Sequence, residues 1–216
     1  MSAAIELVAW DLGNVLVAFD PQEVIRQVAR HSEGGIEAVT HFVMKSPWLE
    51  RYERGQISTE EIFQRFQKEC GYRGTLTELA EDLTGHFSEI RPMVRLLRWL
   101  KGQGYRCCAF SNTNPLAIER IRQFSFWPEF DFAVLSYEHG AMKPEPRLYE
   151  VVEDQGHCQG SQILYFDDRP ENVATGRQRG WIAIHHQNIE ETFHQLRQLG
   201  LLPREAAFLI QSSPER

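Results

Sequence analysis

Cysteine is scarce in this 216-residue chain, and the way its four copies are placed excludes two classes of protein. Cys70, Cys107, Cys108 and Cys158 show neither the spacing of a disulfide framework nor that of a zinc site. Cys107 and Cys108 are adjacent in a strand-like run, where successive side chains leave on opposite faces, so packing is their expected work. Positive charge is also short. Lys and Arg number 23 against 30 Asp and Glu, a net charge of −7 that gives no overall attraction to nucleic acid or to an anionic membrane. No apolar run approaches the roughly 20 residues that span a bilayer, and no basic-then-apolar leader, internal repeat or low-complexity segment is found. The expectation is a soluble, cytoplasmic protein made of one domain, or of a core with a modest insertion, and without nucleic-acid or membrane partners.

What is present is a regular order of elements. The apolar run Ile5–Trp10 reads as a strand that ends in Asp11-Leu12-Gly13-Asn14, and a short apolar stretch, Val15–Phe19, follows it. Asp20, Pro21 and Glu23 have the spacing of an N-cap, a first helical proline and a capping-box partner; Ser58 with Glu61 and Thr75 with Glu78 repeat the box. No convincing strand is seen from there to Ile90. Residues 20–90 are therefore expected to form a small helical insertion, with 1–19 and 91–216 as the core. From Met93 onward helices alternate with strands, the strands expected at Tyr105–Phe110, Phe130–Leu135, Gln162–Phe166 and Trp181–His185. That alternation predicts an α/β fold, a Rossmann-like, mostly parallel sheet flanked by helices. The apolar cluster Ala206–Ile210 is expected to dock on the core.

Three polar islands fall immediately after predicted strands, on the sheet edge where such folds bind ligands. Asp11 follows the first and has the chemistry of a carboxylate nucleophile for a phosphoryl group. Ser111-Asn112 follows the second and supplies hydroxyl and amide donors for phosphate oxygens. Asp167-Asp168 follows a third; two adjacent carboxylates repel unless a cation intervenes, and Mg²⁺ takes oxygen ligands of this kind. Lys143, before Pro144, would hold the phosphate and shield the nucleophile as a point charge. His185-His186 also ends a strand, but without a carboxylate or cysteine partner it reads as packing or surface.

With these motifs in this order, the chain resembles the haloacid dehalogenase superfamily over nearly its full length. It is most similar to bacterial phosphatases acting on glucose 1-phosphate, through Asp11-Leu12-Gly13-Asn14-Val15, Glu53-Arg54-Gly55-Gln56-Ile57-Ser58, Phe110-Ser111-Asn112-Thr113-Asn114, Phe126-Trp127-Pro128-Glu129, Met142-Lys143-Pro144-Glu145 and Phe166-Asp167-Asp168. The resemblance implies a small helical cap inserted after the first strand of the core. It also implies Asp11 as nucleophile, Ser111, Asn112 and Lys143 on the phosphate, and Mg²⁺ on Asp11, the carbonyl of Gly13 and Asp168, with Asp167 acting directly or through water. The expected activity is Mg²⁺-dependent hydrolysis of a small phosphorylated metabolite, a sugar phosphate such as glucose 1-phosphate, by a monomer.

One position departs from most phosphatases of that superfamily. They carry a second aspartate, an acid–base group, two residues after the nucleophile, and this chain has Gly13 there, as the resembled glucose 1-phosphate phosphatases do. Such help is worth about 10²–10⁴ in rate. A sugar leaving through its anomeric oxygen lowers the demand for it, and His139, Glu138 or a cap residue are candidates to replace it. Two other readings follow from the missing aspartate: a metal-independent 2-haloacid dehalogenase, and a catalytically inactive phosphate-ester-binding protein. Within the insertion, Trp48, Glu50, Tyr52 and Glu53 form a polar-aromatic patch suited to a sugar, or one packed helix face.

Overall fold

Strand β1 (Leu7–Trp10) runs through the middle of the molecule and is followed by the short β2 (Val17–Ala18). Five helices come next, α1 (Pro21–Arg30), α2 (Gly35–Lys45), α3 (Trp48–Glu53), α4 (Thr59–Cys70) and α5 (Leu76–Thr84), and then a two-residue strand, β3 (Ser88–Glu89). Helix and strand alternate from there, except that two helices in a row separate β5 from β6: α6 (Arg91–Gly102), β4 (Arg106–Ser111), α7 (Pro115–Ile121), β5 (Phe132–Leu135), α8 (Ser136–His139), α9 (Pro146–Gly156), β6 (Ile163–Asp167), α10 (Pro170–Gln178), β7 (Ile182–His185) and α11 (Ile189–Gln198). This computed structural model describes residues 4–203, so the Ala206–Ile210 cluster lies outside the described residues.

The main sheet is five-stranded in the order β5-β4-β1-β6-β7, and every pairing in it is parallel. A parallel sheet must be covered on both faces, and the strand sequences show how. Val8, Trp10, Cys107, Ala109, Leu164 and Phe166 point to one face, where α6 adds Met93, Leu96, Leu97 and Leu100. The intervening residues Leu7, Ala9, Cys108, Phe110, Ile163 and Tyr165 point to the other, against Leu148, Tyr149 and Val152 of α9. Cys107 and Cys108 thus pack into different cores, as the alternation requires. Burial pushes the Cys70 thiol up to about 11 and the Cys107 thiol up to about 12, and raises Cys108 and Cys158 as well, so these are inert packing groups.

Helices α1–α5 surround an apolar core of their own that includes Val28, Val39, Phe42, Ile62 and Phe66 and reaches Leu116 of α7. Ser58 and Thr75 start α4 and α5 with reciprocal capping boxes, caps of about 1 kcal/mol each. Asp20 caps α1 through the Gln22 N–H at 2.9 Å, but the Glu23 carboxylate turns to Arg26 and Gln27 instead of closing a box. One expectation is corrected here. Residues 20–90 do contain a strand, because Ser88-Glu89 pairs antiparallel with Val17-Ala18. Two polar residues carry no period-two signal, so only the pairing reveals it.

Candidate active site

The topology brings β4, β1 and β6 side by side, and their carboxyl ends gather the polar islands. Asp11 follows β1, Ser111 closes β4, Asp167 closes β6 and Asp168 comes next. Lys143 enters from the loop before α9 with only 3 % of its surface exposed. Its Nζ lies 2.9 Å from Asp11 Oδ1 and 2.6 Å from Asp167 Oδ2, and donates to the Phe110 carbonyl at 2.8 Å. Those contacts account for the three protons of the ammonium, so Lys143 is first of all a clamp between two carboxylates.

Asn112 builds that clamp. Its Oδ1 accepts from the Lys143 N–H at 2.7 Å and its Nδ2 donates to the Lys143 carbonyl at 2.9 Å. The side chain expected on the phosphate is therefore committed to the lysine backbone. Ser111 is buried beside it, and its hydroxyl donates a long 3.3 Å hydrogen bond to the Asn112 carbonyl.

One lysine between two buried carboxylates divides them electrostatically. Burial pushes Asp11 up to about 7; Lys143 pulls it back, while Asp167 and Asp168 push it further up. Burial would raise Asp167 too, but Lys143, the Tyr165 hydroxyl and the Arg169 N–H outweigh it and hold Asp167 below its ordinary value. Burial lowers the Lys143 ammonium, and the two aspartates more than reverse this. Asp167 thus keeps the charge, and Asp11 needs further positive charge at the site to ionise fully near neutrality.

Asp11, Asp167 and Asp168 each present a carboxylate oxygen within 4.8 Å of the others, a spacing that a divalent cation can bridge. Three carboxylates suit hard Mg²⁺ better than a soft metal. Asn172 adds a sign of the same kind: its Nδ2 donates to Asp167 at 2.9 and 3.2 Å, and its buried Oδ1 has no hydrogen-bond partner among the described residues, an acceptor that the hydration shell of a cation would satisfy. Asp168 is steadied by Asn14 Nδ2 at 3.2 Å on Oδ2 and by His185 Nε2 at 2.9 Å on its carbonyl. Asp167 already accepts from Lys143, Tyr165, Arg169 N–H and Asn172, which favours an indirect, water-bridged part in metal binding.

Two cavities meet at this centre. One, of about 200 Å³, is lined by Asp11, Gly13, Asn112, Lys143 and Asp168. The other, of about 180 Å³, is mainly apolar, with Leu12, Val24, Val43, Leu49, Ile62 and Leu83 in its wall. Gly13, Phe19, Glu53 and Asn112 line both. Of the proposed sugar patch, Tyr52 and Glu53 face these cavities, whereas Trp48 does not. Trp48 lies in a separate cleft under the Arg65 guanidinium, 3.7 Å from the ring centroid, with Arg51 at 4.9 Å. Glu138 is exposed and hydrogen-bonded by Tyr137, and neither it nor His139 lines either cavity, so both lose their claim to the acid–base role.

Sequence pattern alone does not assign Tyr165, Asn172, Asn14 and His185 to this site. Tyr165 had a legible signal, since a residue two before Asp167 on a strand shares its face. A doubly wound sheet whose strand ends gather three carboxylates, two of them, Asp11 and Asp167, sharing one buried lysine, is an arrangement suited to a hydrolase acting on charged substrates. The chain belongs to the haloacid dehalogenase-like hydrolase family, whose pattern matches residues 5–180. It is similar to a sesquiterpene phosphatase of Aspergillus oryzae, with 28% identity over 92% of this chain and 98% of that protein. Another relative is a D-ribitol-5-phosphate phosphatase of Bacteroides thetaiotaomicron, 23% identical over 85% of this chain and 93% of that one. A solved haloacid dehalogenase family enzyme from Bacteroides thetaiotaomicron, in complex with magnesium and inorganic phosphate, shares the fold with a TM-score of 0.78 at 20% identity, covering 90% of this chain and 100% of its own. No helix among the described residues is long and apolar enough to cross a membrane.

Proposed function

We propose that this hydrolase is a Mg²⁺-dependent phosphatase that cleaves small phosphomonoesters through an aspartyl-phosphate on Asp11. The observation that carries the reading is the shared lysine: Asp11 and Asp167 divide one buried cation, with Asp168 within reach. Such a centre is short of positive charge and suits a substrate that arrives with a divalent cation. Asp11, Asp168 and the Gly13 carbonyl would hold Mg²⁺, with Asp167 behind them; when bound, the cation offsets the charge of the phosphate. Asp11 attacks phosphorus, Ser111 and the Asn112 backbone meet the phosphate oxygens, and Lys143 keeps the nucleophile oriented. Helices α1–α5 act as the cap, which supplies much of the wall of the apolar cavity and Glu53 on the polar one, and keeps water from the reacting phosphate.

Sugar phosphates such as glucose 1-phosphate suit the missing aspartate at Gly13, and the ribitol phosphate relative supports a polyol ester. A second reading is favoured by the wall of the neighbouring cavity. Leu12, Val17, Val24, Val43, Leu49, Ile62 and Leu83 make most of its surface apolar, and its about 180 Å³ exceeds the roughly 150 Å³ that admits benzene, so an ester with an apolar body fits it, as the sesquiterpene phosphatase relative also suggests. The test is phosphate release from sugar 1-phosphates, sugar 6-phosphates, nucleotides and an isoprenyl monophosphate, with and without Mg²⁺, using Asp11→Asn as the blank. Metal-dependent release that vanishes in the blank supports the mechanism, and the preferred ester decides between the two bodies. Halide release from a 2-haloacid without metal, and no phosphate release, would overturn it in favour of a dehalogenase.

A further inference from the structure

We propose that Glu53, carried by the helical insertion, is the proton donor and acceptor of this site and does the work that Gly13 cannot. The proposal rests on the phosphatase reading. In a phosphomonoester the bridging oxygen lies between the phosphate and the organic body, so the group that protonates it must stand where the two cavities meet. Gly13, Phe19, Asn112 and Glu53 line both cavities. Glycine and phenylalanine carry no proton to give, and the Asn112 amide is committed to Lys143. Glu53 is the titratable side chain left at that junction.

The backbone around Glu53 is fixed to the core rather than left to swing. The Ser136 hydroxyl lies 2.6 Å from the Glu53 carbonyl and accepts from the Thr113 N–H at 2.9 Å, which ties the end of α3 to the loop after β4. Arg54 pairs with Glu145 at 2.6 Å across to the start of α9, and with Glu50 at 2.9 Å. Gly55 takes a left-handed φ of 64° and presses so close to the Tyr137 carbonyl that an added Cβ would lie 2.1 Å from its oxygen. The Glu53 carboxylate itself is not used in any hydrogen bond among the described residues. Burial pushes it up to about 7, Arg169 pulls it down and Glu50 pushes it up, so both protonation states are within reach near neutrality. Asp11, Lys143 and Asp168 are the other charged groups on the cavity it shares with Arg169.

The proton balance closes over two steps. An Asp11 oxygen bonds to phosphorus as the bond from phosphorus to the bridging oxygen breaks, and the proton of the Glu53 carboxyl goes to that oxygen to release the alcohol. Water then adds to phosphorus and its proton passes to the Glu53 carboxylate. The bond to Asp11 breaks, which returns free Asp11, protonated Glu53 and inorganic phosphate.

The experiment compares Glu53→Gln with the parent on a series of aryl and alkyl phosphates, from p-nitrophenyl phosphate to a simple alkyl ester, reading kcat/KM with Mg²⁺ present. Because kcat/KM reports the steps up to alcohol release, the variant is expected to lose about 10²–10⁴ on the alkyl ester and less than about tenfold on the p-nitrophenyl ester, whose leaving group needs no acid. With that ester it should show a burst of p-nitrophenol as the aspartyl-phosphate accumulates. Gly13 has no atom within 4 Å of an added Cβ, so Glu53→Gln combined with Gly13→Asp should recover much of the alkyl-ester activity. An equal fall on every ester in a variant that unfolds like the parent, or no fall at all, would overturn the role of Glu53. A parent that releases no phosphate from any ester would overturn the phosphatase reading, and this proposal with it.

Discussion

Replacing Asp11 with asparagine should remove a titration that the fold moves into the neutral range. The Asp11 carboxyl, with an ordinary value of 3.8, is pushed up to about 7 by burial, against the pull of Lys143. Between these two pH values the folded chain holds a proton that the unfolded chain has released, so raising the pH works against the fold. A displacement of roughly three units at about 1.36 kcal/mol each corresponds to about 4 kcal/mol of stability, present below pH 4 and lost by about pH 7. Asp167 has the opposite sign, since its lowered value adds stability that is lost only on acidification below that window. Its titration lies below the range scanned, and losing the neighbouring Asp11 charge pushes it lower still, so Asp167 stays ionised in both proteins across that range. Urea unfolding of the parent and of Asp11→Asn in chelator, at half-unit steps from pH 4 to 8, measures the difference. The stability of the parent relative to the variant should fall by a few kcal/mol across the range, and added Mg²⁺ should flatten the curve by favouring the ionised carboxylate. A difference that stays level within about 1 kcal/mol, or that rises with pH, would refute the electrostatic account of the site.

Lys143→Met should abolish turnover and cost about 3–5 kcal/mol in denaturant unfolding near neutral pH, because it strands two buried carboxylates. Asp168→Ala should leave weak activity that recovers in part as Mg²⁺ is raised, and a metal titration identical to that of the parent would remove Asp168 from the site. Trp48→Ala should leave KM unchanged for every ester while lowering stability by about 1 kcal/mol or more, since the ring packs under Arg65 in a separate cleft. Gly55→Ala meets the Tyr137 carbonyl in a left-handed backbone conformation; it should lower the unfolding free energy by more than about 1 kcal/mol and reduce kcat by loosening Glu53, which unfolding and steady-state assays read together.

The sequence marks the frame of this site more clearly than its supports. Ile5–Trp10 and Gln162–Phe166 are dense apolar runs that end abruptly in aspartate, so the strand-end placement of Asp11 and Asp167 follows from composition alone. The boxes at Ser58 and Thr75 locate α4 and α5 for a similar reason, because the partner is three residues away. The grip of Asn112 on Lys143 spans 31 residues, and the contact of Asn14 with Asp168 spans 154. No local period encodes such pairs; they exist only once β4, β1 and β6 lie side by side. Glu53 was legible as part of a polar patch, yet its position between two cavities depends on Ser136 and Arg54 tying the insertion to the core. Trp48 packs with Tyr52 against the same apolar core, as one helix face with four-residue spacing requires, and the sugar-patch alternative fails for it because its ring lies under Arg65 outside both cavities.

The pairing of β2 with β3 has a consequence for how this chain can change. Val17 faces Glu89 and Ala18 faces Ser88, so the chain leaves the core and returns to it at the same place. To the central sheet, the helices between those residues are a side branch tied off at its base. Lengthening such a branch is inexpensive in closure entropy, about 0.6 kcal/mol for each doubling. Helices can be added, trimmed or resurfaced there without changing the register of β1 against β4, and so without moving Asp11 relative to Ser111. The strand-end carboxylates and the helices that face them thus sit on segments that can vary separately, held together by the packing of Leu116 and by the Ser136–Glu53 and Arg54–Glu145 contacts.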